Sequence, residues 1–244
     1  MKYAIFSDIH GNLEAYQAVL GALRKEGELK YFCVGDIVGY GADPAACIKA
    51  TKRLNPVIVC GNHDWAAVGL TSMEYFNDYA KKAALWTASV LGKEDKDYLS
   101  SLKLTYTDEE MTLVHGTLMR PGRFEYVFDF DTAYRMMELM ATKIAFIGHS
   151  HVPGIFFMEG DNVEYNSGPK VKYSKDSQNK KCLVNVGSVG QPRDGDWRAS
   201  YCVWDKDAGT LEIKRVEYDV AKARKKILDA GLPEILAERL RKGR

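Results

Sequence analysis

The sequence predicts an α/β protein, an α+β sandwich of four layers (α/β/β/α) in which two packed mixed sheets lie between outer helices. Three observations predict it. Apolar runs at 3–7, 31–34 and 57–60 alternate with helical periodicity, the β-loop-α pattern of a parallel sheet with crossover helices. After residue 150, strand-like runs at 154–158, 182–186, 200–204 and 210–217 are spaced like a β-meander. Polar clusters follow the apolar runs, at the strand ends where ligands bind in open α/β sheets. The first sheet is expected to be mostly parallel and the second mixed.

Taken in order, the first run ends at Ser7-Asp8-Ile9-His10-Gly11-Asn12. From Asn12 to about Lys25, Leu13, Tyr16, Val19, Leu20 and Leu23 recur at helical spacing, with Asn12 as N-cap. The second run ends at Gly35-Asp36. Asp43-Pro44 then opens a helix, Asp43 as N-cap and Pro44 at the first helical position. The third run ends at Gly61-Asn62-His63-Asp64, which reads either as turn chemistry with helix capping or as a site. Residues 65–101 are mostly helical, with Tyr75, Phe76, Tyr79, Ala83, Trp86 and Val90 as a core-facing stripe. The run Lys93-Glu94-Asp95-Lys96-Asp97 reads as a solvated turn. Strands resume near Leu102, with 111–114 leading to His115 and 144–147 to Gly148-His149-Ser150-His151, and a helix around 131–141 between them. The lysine-rich stretch around 168–181 is expected to be a mobile loop, and helices are expected at 219–230 and 233–241, the latter opened by Pro233.

The 244 residues suffice for one domain, 1–244, with a helical cap-like segment at about 65–101. Hydrophobic residues make up 46% and charged residues 27%, which excludes wholesale disorder. A net charge of +1 argues against coating nucleic acid or acidic membrane. No signal peptide is expected from the opening residues, no apolar run reaches membrane-spanning length, and the five cysteines form no CxxC pair. A cytoplasmic location is the expectation.

All five histidines, His10, His63, His115, His149 and His151, follow predicted strands, with Asp8, Asp36, Asn62 and Asp64 beside them. If the strands stay extended, residues at i and i+2 project to one side, so Asp8 and His10 can grip one ion and His149 and His151 can address one shared point or two adjacent ones. Imidazole and carboxylate ligands together suit Mn, Fe, Zn, Co or Ni. The set is too nitrogen-rich for calcium and lacks the thiolates of structural zinc sites. Seven candidates (Asp8, His10, Asp36, Asn62, His115, His149, His151) exceed the needs of one tetrahedral ion, and two divalent or mixed-valence ions are the economical reading.

Asp8-x-His10, Gly35-Asp36, Gly61-Asn62-His63-Asp64, His115 and Gly148-His149-x-His151 resemble, in order, the signature of the calcineurin-like metallophosphoesterase superfamily over residues 1–151. Asn185-Val186-Gly187-Ser188-Val189-Gly190-Gln191-Pro192-Arg193 is similar to its small prokaryotic branch of phosphodiesterases and dinucleoside tetraphosphatase-like proteins. The resemblance implies the metallophosphoesterase fold. It also implies one ion held by Asp8, His10, Asp36 and His151 and another by Asp36, Asn62, His115 and His149, with Asp36 bridging. His63, not expected to be a ligand, is implied as the catalytic residue over the leaving group, either as general acid or as a charged donor to the phosphoryl oxygens. The implied activity is two-metal hydrolysis of phosphate mono- or diesters by a metal-bridged hydroxide, on small nucleotide-type substrates.

Protein Ser/Thr phosphatases of this superfamily carry Gly-Asp-x-x-Asp-Arg-Gly at the second motif, where Gly39 and Tyr40 occupy the positions of the last Asp and Arg here. That weakens the alternative of a protein phosphatase; a metal-stabilised interaction scaffold without turnover is the other alternative. Asp64 either replaces the missing orienting carboxylate or caps a helix. For substrate binding the candidates are Arg120 and Arg123 with Phe124, and Arg193 with Gln191, Asp194 and Trp197, set against the plain reading of surface and packing residues.

Overall fold

The computed structural model describes residues 1–173 and 180–244. Strand β1 (Lys2–Phe6) lies between β2 (Leu29–Cys33), parallel to it, and β11 (Ala199–Asp205), antiparallel. With β3 (Val57–Ile58), β12 (Thr210–Val216) and β9 (Lys170–Lys172) these form a six-stranded sheet of order β3-β2-β1-β11-β12-β9. The second sheet has the order β4-β5-β6-β10-β7-β8, from β4 (Thr105–Thr107), β5 (Thr112–Val114), β6 (Ile144–Ile147), β7 (Gly154–Glu159), β8 (Asn162–Asn166) and β10 (Lys180–Asn185).

Strand alternation explains the layers. Tyr3 and Ile5 point between the sheets, joining Phe32, Val34, Leu113, Phe146, Val184 and Trp204 in one apolar cluster. Ala4 and Phe6 point outward and join Tyr16, Val19 and Leu23 of α1 (Leu13–Leu23) and Ile48 of α2 (Pro44–Leu54). Both faces of β1 are therefore apolar, as a strand covered on both sides requires. On the far face of the second sheet, Ala133, Met136 and Met137 of α6 (Phe130–Leu139) pack on Ala145, Ile147 and Leu183. Between β3 and β4 run α3 (Asn62–Ala67), α4 (Asp78–Val90) and α5 (Lys93–Ser101). Helices α7 (Val220–Asp229) and α8 (Glu234–Lys242) share an apolar cluster with Ala80 and Ala83 of α4. Among the described residues, no helix is long and apolar enough to cross a membrane.

Several expectations are corrected. The first sheet is parallel only across β3-β2-β1, because β11, β12 and β9 complete it with antiparallel pairings. The expected meander is divided, since β10 lies parallel to β6 and antiparallel to β7 whereas β11 enters the other sheet. Lys93–Asp97 opens α5 instead of forming a turn, with an i,i+4 pair from Lys93 to Asp97 at 2.6 Å. Tyr75 precedes α4 and is 88% exposed, so it is not core. Of the lysine-rich stretch, Lys170–Lys172 is strand β9, and 174–179 lie outside the described residues. All five cysteines are free and buried.

Candidate metal centre

Each predicted ligand follows a strand end: Asp8 and His10 lie on the loop after β1, Asp36 after β2, His115 after β5, and His149 and His151 after β6, while Asn62 opens α3 just beyond β3. The cluster thus straddles the matching ends of both sheets. Backbone bonds lock the loops together, with Asp8 N donating to Gly35 O at 3.0 Å, His10 N to Asp36 O at 3.0 Å and Gly148 N to His115 O at 3.1 Å. The i, i+2 pairs are not on extended backbone. Asp8, His10, Asp36, His149 and His151 have φ of 55°, 49°, 54°, 67° and 61°, left-handed conformations that persist in bulky residues only where surroundings dictate them. Asp8 and His10 still converge, 3.6 Å apart, whereas His149 and His151 divide between two neighbouring donor clusters.

Three imidazoles are aimed the same way. His10 Nδ1 bonds Val38 O at 3.0 Å, His115 Nδ1 bonds Val34 O at 2.7 Å, and His151 Nδ1 bonds Gln191 O at 2.6 Å. With Nδ1–H donating to a carbonyl, Nε2 carries the lone pair that binds a metal. Those Nε2 atoms point inward: His10 and His151 approach to 3.0 Å, His151 lies 3.2 Å from Asp8 Oδ1, and His115 lies 3.2 Å from Asp36 Oδ2.

The site fits cations. Among the described residues, Asp8 Oδ1, Asp36 Oδ2, Asn62 Oδ1 and His115 Nε2 are buried acceptor atoms with no hydrogen-bond partner. Unpaired buried acceptors of this kind carry a desolvation cost that a cation offsets. Donor atoms of Asp8, His10 and His151 fall within 4.8 Å of one another, as do those of Asp36, His115 and His149. Burial opposes ionisation of Asp8 and Asp36, yet the neighbouring imidazoles, His151 and His115 for Asp8 and His115 and His63 for Asp36, hold both carboxyls below the usual range. Burial lowers His149 well below the usual imidazole value, and burial with the Arg193 guanidinium lowers His151 to about 3. Those imidazoles are neutral and available as ligands. Burial also disfavours charge on His115, but Asp36 and Asp8 raise it to about 9, so a cation bound at its Nε2 would displace a proton.

Asp64 is neither a partner for His63 nor merely a local cap. Its Oδ2 accepts from Asp36 N (2.8 Å) and Gly61 N (3.0 Å), and its Oδ1 from Ile37 N (2.9 Å) and Val38 N (3.2 Å). It therefore clips the loop after β2 to the loop after β3. Burial and the Asp36 charge push its carboxyl up to about 7, against the pull of the amides. His63 lies between rings, 4.4 Å from Tyr40, 4.8 Å from Phe76 and 4.9 Å from His10, centre to centre. Its Nδ1 has no partner among the described residues, and burial lowers the imidazole to about 3. Its backbone N–H donates to Asp36 Oδ1 at 2.8 Å.

A cleft of about 270 Å³ opens beside Asn62 and His149, bounded by Thr71, Ser72, Tyr75, Phe76, Arg123, Phe124 and Tyr126. Its helical-segment wall comes from the loop at 71–76, while α4 turns to α7 and α8. The predicted substrate residues separate here. Arg123 lines the cleft. Arg193 lies with its guanidinium carbon 5.6 Å from the Tyr40 ring centre and bonds Gln191 Oε1 at 2.9 Å. Arg120 instead pairs with Glu125 at the surface, and Asp194 with Arg215. Trp197 packs edge-on against Tyr218 at 5.8 Å. Tyr126, which stacks on His149 at 3.8 Å, went unrecognised in the sequence, and Phe76, which packs against the α4, α7 and α8 cluster as expected, also faces His63; neither belongs to a recognisable motif.

Two mixed sheets between helices, with a buried carboxylate–imidazole cluster at their strand ends, are the architecture of metallophosphoesterases. The chain belongs to the calcineurin-like phosphoesterase superfamily, whose domain matches residues 1–209, and it is accordingly an enzyme of the metal-dependent phosphoesterase class. It is similar over 99% of its length to an uncharacterized protein of Methanocaldococcus jannaschii, 43% identical, covering 98% of that protein. The structure of a metallophosphoesterase from Sphaerobacter thermophilus superposes with a TM-score of 0.86 at 37% identity, covering 100% of this chain and 99% of that one. A hypothetical protein from Pyrococcus horikoshii shares the fold, with a TM-score of 0.80 at 22% identity and 100% and 98% coverage.

Proposed function

We propose that this enzyme is a two-metal phosphoesterase that hydrolyses mono- or diesters of small, nucleotide-type phosphates. The observation that carries the reading is the convergence of buried donor atoms without hydrogen-bond partners among the described residues, Asp8 Oδ1, Asp36 Oδ2, Asn62 Oδ1 and His115 Nε2, beside an aromatic cleft. Asp8, His10, Asp36 and His151 would hold one ion, and Asp36, Asn62, His115 and His149 the other. The mixed nitrogen and oxygen donors suit Mn, Fe, Zn, Co or Ni. Bound ions supply Lewis acidity and an activated water.

The chain's own residues supply the rest. His63 would face the leaving group from its aromatic enclosure, where the negative charge of a bound phosphate would offset the burial that keeps the imidazole neutral, so that it serves as general acid or as a charged donor to the phosphoryl oxygens. Arg193 extends a guanidinium toward the phosphoryl oxygens from beside Tyr40, and Arg123 offers a second on the cleft wall. Phe76 and Tyr126 form apolar walls suited to a base or aryl group. Residues 1–244 would act as one domain, with the 71–76 loop of the helical segment shielding one side of the cleft. The free thiols fit a reducing cytoplasm.

The test is hydrolysis of p-nitrophenyl phosphate and bis(p-nitrophenyl) phosphate by protein of measured metal content, followed by dinucleoside polyphosphates, cyclic nucleotides and a phosphopeptide. His63→Ala is expected to keep both ions while losing roughly 10²–10⁴-fold in turnover, the usual contribution of a positioned acid. Asp36→Ala is expected to lose metal. Equal metal loss in the two variants would remove the separation of roles, and absence of hydrolysis in metal-loaded protein would leave a binding scaffold.

A further inference from the structure

The four clustered histidines other than His63 are not held alike. His10, His115 and His151 each have Nδ1 fixed by a backbone carbonyl, at 3.0, 2.7 and 2.6 Å. Among the described residues the His149 ring has no hydrogen bond; only its backbone N–H is anchored, to Asp8 Oδ2 at 3.0 Å. What faces the ring is Tyr126, stacked nearly parallel with centres 3.8 Å apart and planes 12° apart. Tyr126 in turn stacks on Phe128, 4.9 Å apart at 18°. A free imidazole turns about its last side-chain torsion, which is broad and roughly two-fold. A ring pressed flat against one face restricts that torsion as a hydrogen bond would.

We infer that Tyr126 is the positioning residue for His149, and that its ring governs how tightly the ion assigned to Asp36, Asn62, His115 and His149 is held. The inference rests on the ligand assignment proposed above. Groups that orient a metal-binding imidazole typically change metal affinity by about 10–100-fold when removed. The other ion, assigned to Asp8, His10, Asp36 and His151, draws on imidazoles aimed by carbonyls and has no such dependence. Tyr126 is 43% exposed and lies outside the strands and helices, so the side chain can be shortened without opening the core. Tyr126 and His149 both border the cleft, so a ring-bearing ligand there would touch the residue that sets the imidazole.

The experiment is titration of metal-stripped protein with Co²⁺, counting bound ions by equilibrium dialysis and following the d–d absorption bands, which report ligand geometry. Wild type should bind two ions. Tyr126→Ala and Tyr126→Leu should bind the first normally and the second about 10–100-fold more weakly, with altered bands. Tyr126→Phe, which keeps the ring, should match wild type. Wild-type affinity and bands in both truncated variants would overturn the inference. So would a Tyr126→Phe variant as impaired as Tyr126→Ala, since the hydroxyl would then be the operative group. His149→Ala separates the two levels: if it too binds both ions normally, the ligand assignment itself fails.

Discussion

At Gly39 and Tyr40 the protein replaces the carboxylate and arginine of protein phosphatases with an empty position and a ring. Gly39 has φ of 94°, and a Cβ there would stand 2.5 Å from His63 Nδ1. Gly39→Ala should strain the backbone and push the imidazole aside, lowering turnover by roughly 100-fold with metal content retained; parallel kinetics and metal analysis would check this. The same imidazole makes stability depend on pH. Burial lowers His63 to about 3, and burial with Arg193 lowers His151 to about 3, whereas both titrate near 6.5 when unfolded. The folded chain binds fewer protons below that value, so their contribution is present above pH ~6.5 and is lost as the pH falls toward about 3. His115 runs oppositely: its raised value near 9 gives a contribution present below about 6.5 and lost as the pH rises through 9. Asp64, raised to about 7, opposes His63 and His151 by gaining stability as the pH falls below that value, but two imidazoles outweigh one carboxyl. Chelator-treated protein should therefore show a falling Tm from about pH 6.5 downward, read by calorimetry; a Tm that rises across that interval would contradict the buried neutral imidazoles. Sequence reading brought the ligand candidates together because each motif pairs a strand end with metal-binding side chains. It could not find Tyr126, since a ring that stacks on a ligand leaves no spacing to recognise, nor aim Asp64, whose bonds cross to another loop.

Among the elements, α1 is tied at its start by one side chain with two tasks. Asn12 Oδ1 accepts from Ala15 N at 3.1 Å, as expected of an N-cap, and Nδ2 donates to Gly190 O at 2.8 Å. Asn12→Ala should cost about 1–3 kcal/mol, seen as a lower urea midpoint with unchanged slope. Asp43 also precedes its helix as expected but makes no capping bond, its carboxylate meeting Lys226 Nζ at 2.8 Å instead. The strands and helices legible in the sequence are those that bury an apolar face, because burial imposes the period. The misses share the opposite trait. Helix α5 begins with five charged residues and buries only Leu99, so its first turns carry no apolar period. Strands β8 and β9 are mostly exposed at sheet edges, polar enough to read as loop.

Across the whole molecule, the ligand candidates divide between the sheets, Asp8, His10, Asp36 and Asn62 on the first and His115, His149 and His151 on the second. Ions held by this set would join the two sheets at one rim. Removing them should lower Tm, by an amount that grows with the logarithm of the metal concentration from which the protein is taken; calorimetry at graded Co²⁺ or Mn²⁺ tests it, and a Tm independent of metal would contradict a bridging role. The sandwich was foreseen, but not the return of β11 and β12 to the first sheet, because the order of strands along the chain does not say which sheet a late strand joins. That return has a consequence for synthesis. One side of β1 is covered by β2 at once, but the other waits for residues 199–205 to leave the ribosome. During that interval β1 presents a bare edge to any extended chain nearby. The nascent protein thus depends on protection from neighbours for longer than a sheet filled in the order of its strands would.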